Sequence, residues 1–303
     1  MKYRAHETFF IRKGWLSKGL KHIQTDPSVF VSKEKNPIDV LGIGSNMVKS
    51  LRHWMKAAGL SEETISNRIK IQETTDLGKI IWKYDKYFEE LGTLWLIHYK
   101  IVSNKELSPA WYFFFNEFIL NEFQKEDFIT ALQSFASMNN ESPAESSIED
   151  DFNCLVNTYI QRRKINPNRV SPESNIECPL DELGLIDLSS NSTGKDRIYR
   201  KACPSAGSIP PYILYAVIQD QSNNKKEIKI KDLLSKPLNI GKIFNLDIVS
   251  LYRELDILAK NKLIDVVRTA GLDVIKIKEE KSFDECIKTY YESLNGGKKC
   301  LNY

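Results

Sequence analysis

Four sets of residues in this sequence are of types that could do chemistry. In "GIGSNM", Gly42 and Gly44 take the first two places of the G-x-G-x-x-G turn that holds a dinucleotide pyrophosphate against a helix N-terminus. Met47 stands where the third glycine belongs, and no preceding strand or following acidic residue completes the unit. In "STGKD", Gly194 and Lys195 match the end of a phosphate-cradling loop, without its upstream glycine or the hydroxyl residue after lysine. Cys154, Cys178 and Cys203 could hold zinc or an iron-sulfur cluster only if the fold gathered them, because their spacing fits no metal signature. The four histidines, His6, His22, His53 and His98, form no H-x-x-x-H pair. The sequence therefore offers no positive sign of catalysis, implies no cofactor and leaves any metal site undetermined.

Charge gives a stronger indication. The net charge of +3 conceals a polarity: residues 1–60 carry +7, residues 225–303 carry +4, and the stretch between carries −8. Basic ends around an acidic centre suit a chain whose ends touch polyanion. No apolar stretch approaches the roughly 18 residues that span a bilayer, and the charged start "MKYRAHETFFIRKGW" has no signal-peptide core. Five scattered cysteines without a CxxC pair fit reduced thiols. These features predict a cytoplasmic protein with no membrane partner.

The elements that must position these groups follow from periodicity and breakers. Trp15, Leu16, Leu20 and Ile23 repeat at helical spacing, and Pro27 stops that helix. After Asn36-Pro37, a short apolar turn leads to a helix for which Ser45 or Asn46 is the expected cap and Gly59 the end. Its apolar side is Val48, Leu51, Met55 and Ala58; its other side, Lys49, Arg52, His53 and Lys56, contains no acid. This is a helix-turn-helix pattern with a basic outer face. Residues 62–140 read as aromatic helices, with Ser108 as a cap before Pro109. Trp82, Trp95, Trp111 and Phe113 to Phe115 fall at core spacing, the reading favoured over base stacking. Beyond a polar, loop-rich bridge, helix, short helix, long helix and a hairpin around Ala270-Gly271 follow the order of a winged helix. Glu254 and Asp256 interrupt the polar side of the long helix and would repel phosphate there.

Three segments resemble a known family. "HETFFIRKGWLSKGL", "LGIGSNMVKSLRHWMKAAGL" and "SIEDDFNCLVNTYI" with "ECPLDELGLI" are similar, in order and spacing, to the bacterial domain of unknown function 4007. The matching positions are His6, Glu7, Arg12, Trp15, Gly42, Gly44, Asn46, Met47 and Val48, with Cys154 and Cys178. The resemblance implies a place in anti-phage defence islands, beside genes for DNA sulfur modification that include a sulfotransfer enzyme of the phosphoadenosine-phosphosulfate reductase type. It assigns no catalytic residue. His6 and Arg12 could face DNA phosphate with Glu7 orienting them, but the favoured reading pairs Glu7 with Arg12 or Lys13 and so fixes the arm.

The expectation is a mainly α, multidomain protein: a basic helix-turn-helix-like unit over 1–60, an aromatic helical body over 61–140, a linker and bridging helix over 141–211, and a winged-helix-like domain over 212–303. The expected function is a non-catalytic double-stranded DNA-binding component of an anti-phage defence or DNA phosphorothioation system. Its contact residues would be Arg12, Lys13, Lys18, Ser45, Asn46, Lys49, Arg52, His53, Lys56 and Arg268. The alternatives are an adaptor that recruits a modification or nuclease subunit, and a metal or iron-sulfur redox subunit built on Cys154 and Cys178.

Overall fold

A computed structural model describes residues 1–66, 68–160, 177–189, 197–269 and 272–298. The "STGKD" loop and the Ala270-Gly271 turn lie outside the described residues. The chain opens with an irregular arm followed by α1 (Trp15–Thr25), α2 (Pro37–Leu41) and α3 (Ser45–Ala57). Pro37 starts α2, where a missing N–H costs nothing, and the Asn36 side chain accepts the Ile38 N–H. Gly42, at φ +61°, ends α2 in the left-handed conformation that a Cβ would oppose. The cap of α3 is Gly44 in extended conformation, not Ser45 or Asn46, which already lie inside the helix. Both glycines thus shape the turn between two helices, and no strand precedes them.

Residues 61–66 and 69–74 pair as a hairpin that periodicity did not reveal. Strands β1 (Ser61–Ser66) and β2 (Ile69–Thr74) pair antiparallel, with Ser61 opposite Thr74 and Ser66 opposite Ile69. Thr75 then caps α4 (Asp76–Tyr84) by accepting the Gly78 N–H. Four helices follow: α5 (Leu91–Ser103), α6 (Pro109–Asn116), α7 (Lys125–Met138) and α8 (Glu145–Tyr159). Pro109 opens α6 as expected, but the Ser108 hydroxyl does not cap it; that group donates back to the Ile101 and Asn104 carbonyls.

The bridging stretch supplies β4 (Ile186–Leu188) and β5 (Tyr199–Lys201), which join β3 (Glu122–Phe123) in a sheet of order β3-β5-β4. The last part runs α9 (Pro211–Gln221), β6 (Glu227–Lys229), α10 (Ile230–Ser235), α11 (Ile240–Ile243), α12 (Ile248–Lys260), β7 (Ile264–Thr269), β8 (Leu272–Ile277) and α13 (Phe283–Lys298). Its antiparallel sheet has the order β6-β8-β7, and Asp247 caps α12 by accepting the Ser250 N–H at 2.7 Å. The fold is therefore mixed α/β rather than mainly α. Its strands are two to six residues long, too short for period-2 alternation to stand out beside strong helical patterns.

One cluster of buried apolar residues extends from Ile11 to Tyr291 and draws on all four sequence stretches. Trp54 of α3 meets Trp111 of α6 edge to face at 5.2 Å, and Tyr291 of α13 stacks on Tyr84 of α4. Trp95, Trp111 and Phe113 to Phe115 are buried, which places these aromatics in the core. Among the described residues no helix is long and apolar enough to cross a membrane.

Candidate nucleic-acid interface

The basic face of α3 is built from the turn upward. Ser45, Asn46 and Lys49 are exposed on the first turns. The Lys49 ammonium lies 3.4 Å from Asn46 Oδ1 and 3.7 Å from Glu7 Oε1, so it is only loosely held. One turn later the face is not free of acid. Arg52 donates to Glu63 of β1 through Nε and Nη2, at 3.1 and 2.6 Å, and Lys56 donates to the same Oε2 at 3.1 Å. Lys70 of β2 approaches the other oxygen at 3.8 Å. Burial alone would raise the Glu63 pKa, but hydrogen bonds from Lys56 and Arg52 outweigh it and hold the carboxyl below its ordinary value. Three cations therefore share one carboxylate, and the site keeps a surplus of positive charge.

Other expected contact residues are placed differently. His53 is buried rather than outward, and burial, with positive charge from Lys56, pushes it down to about 3. It is a neutral core group at pH 7. Lys18 spends its ammonium on the Leu41 carbonyl at 2.9 Å, tying α1 to α2. The Arg12 guanidinium is half-buried over the rings of Phe9 and Trp15, at 5.3 and 5.2 Å, while Lys13 beside it is exposed. Arg268 of β7 is exposed and lies 4.7 Å from the Tyr252 ring of α12, whose hydroxyl donates to Asp273.

Of the N-terminal pair, His6 is withdrawn from solvent while Glu7 stays partly exposed. His6 is 2% exposed and sits between Trp54 and Trp111, with Nε2 2.7 Å from Asp151 Oδ1 of α8. Glu7 pairs with neither Arg12 nor Lys13 but faces Lys49. On α12, Glu254 leaves the polar side altogether: it is buried, and its carboxylate accepts the Gly207 N–H at 3.3 Å. The repulsion expected of it is thereby removed, whereas Asp256 remains exposed. Sequence reasoning missed Glu63 and Lys70, which approach α3 only because β1 and β2 fold back as a hairpin.

The cysteines are poor candidates for metal. Cys154 and Cys178 are buried, and burial raises the Cys154 thiol well above its ordinary pKa, disfavouring the thiolate that a metal or cluster requires. Cys203 is exposed, with Sγ 3.2 Å from the Ser250 hydroxyl. Among the described residues, no three His, Cys, Asp or Glu side chains converge as a metal-binding group.

The family model described as "Protein of unknown function (DUF4007)" matches residues 3–291. The chain belongs to this family. A comparison of the DUF4007 chain with curated proteins found no match. Its fold is similar to two crystal structures of a protein named SspB, one of them magnesium ion-bound. Each has a TM-score of 0.82 and 24% identity, with 99% of this chain and 90% of that chain covered.

Proposed function

We propose that this DUF4007 chain is a non-catalytic double-stranded DNA-binding component of a bacterial anti-phage defence or DNA phosphorothioation system. The observation that carries the reading is the surplus charge where Arg52, Lys56 and Lys70 share Glu63, continued on α3 by the loosely held Lys49. Duplex phosphates attract such a surplus and release counterions on contact. Helices α2 and α3, with the glycine turn between them, form a helix-turn-helix-like unit. The order α9, β6, α10, α11, α12, β7, β8, with sheet order β6-β8-β7, supports a winged helix whose exposed α12 residues include Arg253 and Lys260.

The interface consists of Lys13, Asn46, Lys49 and Lys70 at the N-terminal end and Arg253, Lys260 and Arg268 at the other. Arg52 and Lys56 contribute through the cluster around Glu63. His53 and Lys18 serve packing.

Charge changes at this cluster should move duplex affinity in both directions. Lys49→Glu with Lys70→Glu is expected to weaken binding at least tenfold at low salt in a fluorescence-polarisation assay, because both lysines are exposed and neither bridges buried elements. Glu63→Gln removes the shared carboxylate and is expected to tighten binding. Unchanged affinity in both variants would remove the proposal.

A further inference from the structure

The two most exposed large apolar side chains among the described residues, Met138 at 83% and Ile119 at 81%, border the same groove, with Leu120 beside them at 41%. This groove, of about 650 Å³, runs between α7 and the chain leaving α6. Its long wall is one stripe of α7: Asp127, Thr130, Ala131, Ser134, Phe135 and Met138. Those positions fall at intervals of three and four residues, so they line one face over about three helical turns. The centre of the stripe, Thr130, Ala131 and Ser134, is small and lets another backbone approach closely. Phe113 and Phe118 supply apolar surface from the α6 side, and Ile119 and Leu120 form the opposite lip.

The charged side chains that line the groove have one sign, and they lie away from its Phe135 end, where the Lys105 ammonium sits 5.2 Å from the ring centroid. The charged residues lining it are Glu117, Glu126 and Asp127, all exposed carboxylates. A groove with a small-residue floor, large apolar lips and an acidic end is shaped for a helix laid into it. Charge complementarity then selects the occupant, since an acidic or neutral helix gains nothing from that end.

We infer that the α6–α7 groove is a docking site for an amphipathic helix of a partner protein, about three turns long, with apolar residues on one face and lysine or arginine at one end. The groove shares no lining residue with the basic surfaces assigned to DNA. Exposed Ile119 and Met138 then cease to be unpartnered, because the partner's apolar stripe covers them.

The test uses the full chain and a fluorescein-labelled synthetic helix with leucines on one face and lysines at one end. Its twin has glutamate in place of each lysine. The lysine helix should bind with micromolar Kd, and the twin at least tenfold more weakly. Ile119→Lys with Met138→Lys should weaken lysine-helix binding at least tenfold while the melting temperature and duplex affinity stay unchanged. Glu117→Lys with Glu126→Lys should reverse the preference between the two helices. Equal binding of the twins, no binding of either, or insensitivity to the Ile119 and Met138 changes overturns the inference. So does a dimer, seen by light scattering, that the same changes dissolve, since the occupant is then a second copy of this chain.

Discussion

His6→Ala is expected to lower stability by about 3–5 kcal/mol, because it removes a buried ring and leaves a buried carboxyl without its partner. The Thr8 N–H donates to His6 Nδ1 at 3.1 Å, which makes Nδ1 an acceptor and places the ring proton on Nε2, facing Asp151. Asp151 Oδ1 also accepts the Arg4 N–H at 2.8 Å. These bonds hold an arm in which Arg4, Glu7 and Thr8 all have positive φ, a conformation costly for residues with a Cβ. The ring further fills the space between Trp54 and Trp111, where α3 meets α6. A double-mutant cycle of His6→Ala and Asp151→Ala should give a coupling of roughly 2–3 kcal/mol in urea unfolding. Single losses below about 1 kcal/mol would show that the pair does not anchor the arm.

Acid should destabilise the fold from pH 6.5 downward, chiefly through two buried histidines. His98 Nε2 faces the Ile243 carbonyl at 2.8 Å and must donate to it, so Nδ1 accepts from the Tyr159 hydroxyl at 2.8 Å. That neutral tautomer ties α5 to α8 and α11 in a ring of aromatic contacts with Trp95, Phe115 and Phe244. Burial pushes His98 down to about 4 despite the opposing bond to Ile243, and His53 down to about 3. The unfolded chain takes up these protons near pH 6.5 and the folded chain does not. Stability is thus full above that pH and falls by up to about 1.4 kcal/mol per pH unit for each histidine. For His98 the loss reaches about 3 kcal/mol by pH 4.

Asp151 acts in the opposite sense. Burial raises its pKa above the unfolded value of 3.8 against the effect of His6, so its ionisation opposes folding as pH rises through that interval. The His98→Gln variant isolates one histidine: urea midpoints between pH 7 and 4 should decline less steeply than in the parent. Identical pH slopes would contradict a buried neutral His98.

The sequence made the helices legible where amphipathic spacing was strong and breakers were plain. The long α12, Pro109 at the start of α6, and the two glycines before α3 are examples. Strands β3, β4 and β5 were not legible, since two or three residues carry no readable period and their pairing joins positions far apart in the chain. Helix α13 likewise went unread, although its Tyr290 and Tyr291 are buried against α5 and α4.

The candidate site divided along the same line. Exposure of Lys49 followed from local pattern. The approach of Glu63 to Arg52 and Lys56, the burial of His53 and His6, and the withdrawal of Glu254 all depend on tertiary contacts that a single helix face does not encode. A helix read alone overstates its free charge whenever a neighbouring strand supplies the counter-ion.

A salt titration of duplex binding by the full, unmodified chain tests the proposed DNA contact most directly. If the cations around Glu63 and along α3 meet phosphate, log Kd should rise linearly with log salt, with a slope of about 3 or more, so that affinity falls roughly 60-fold between about 50 and about 200 mM. Glu63→Gln should raise that slope and Lys49→Glu with Lys70→Glu should lower it. A chain that fails to bind duplex at the lowest salt, or binds it with no salt dependence, contradicts the account.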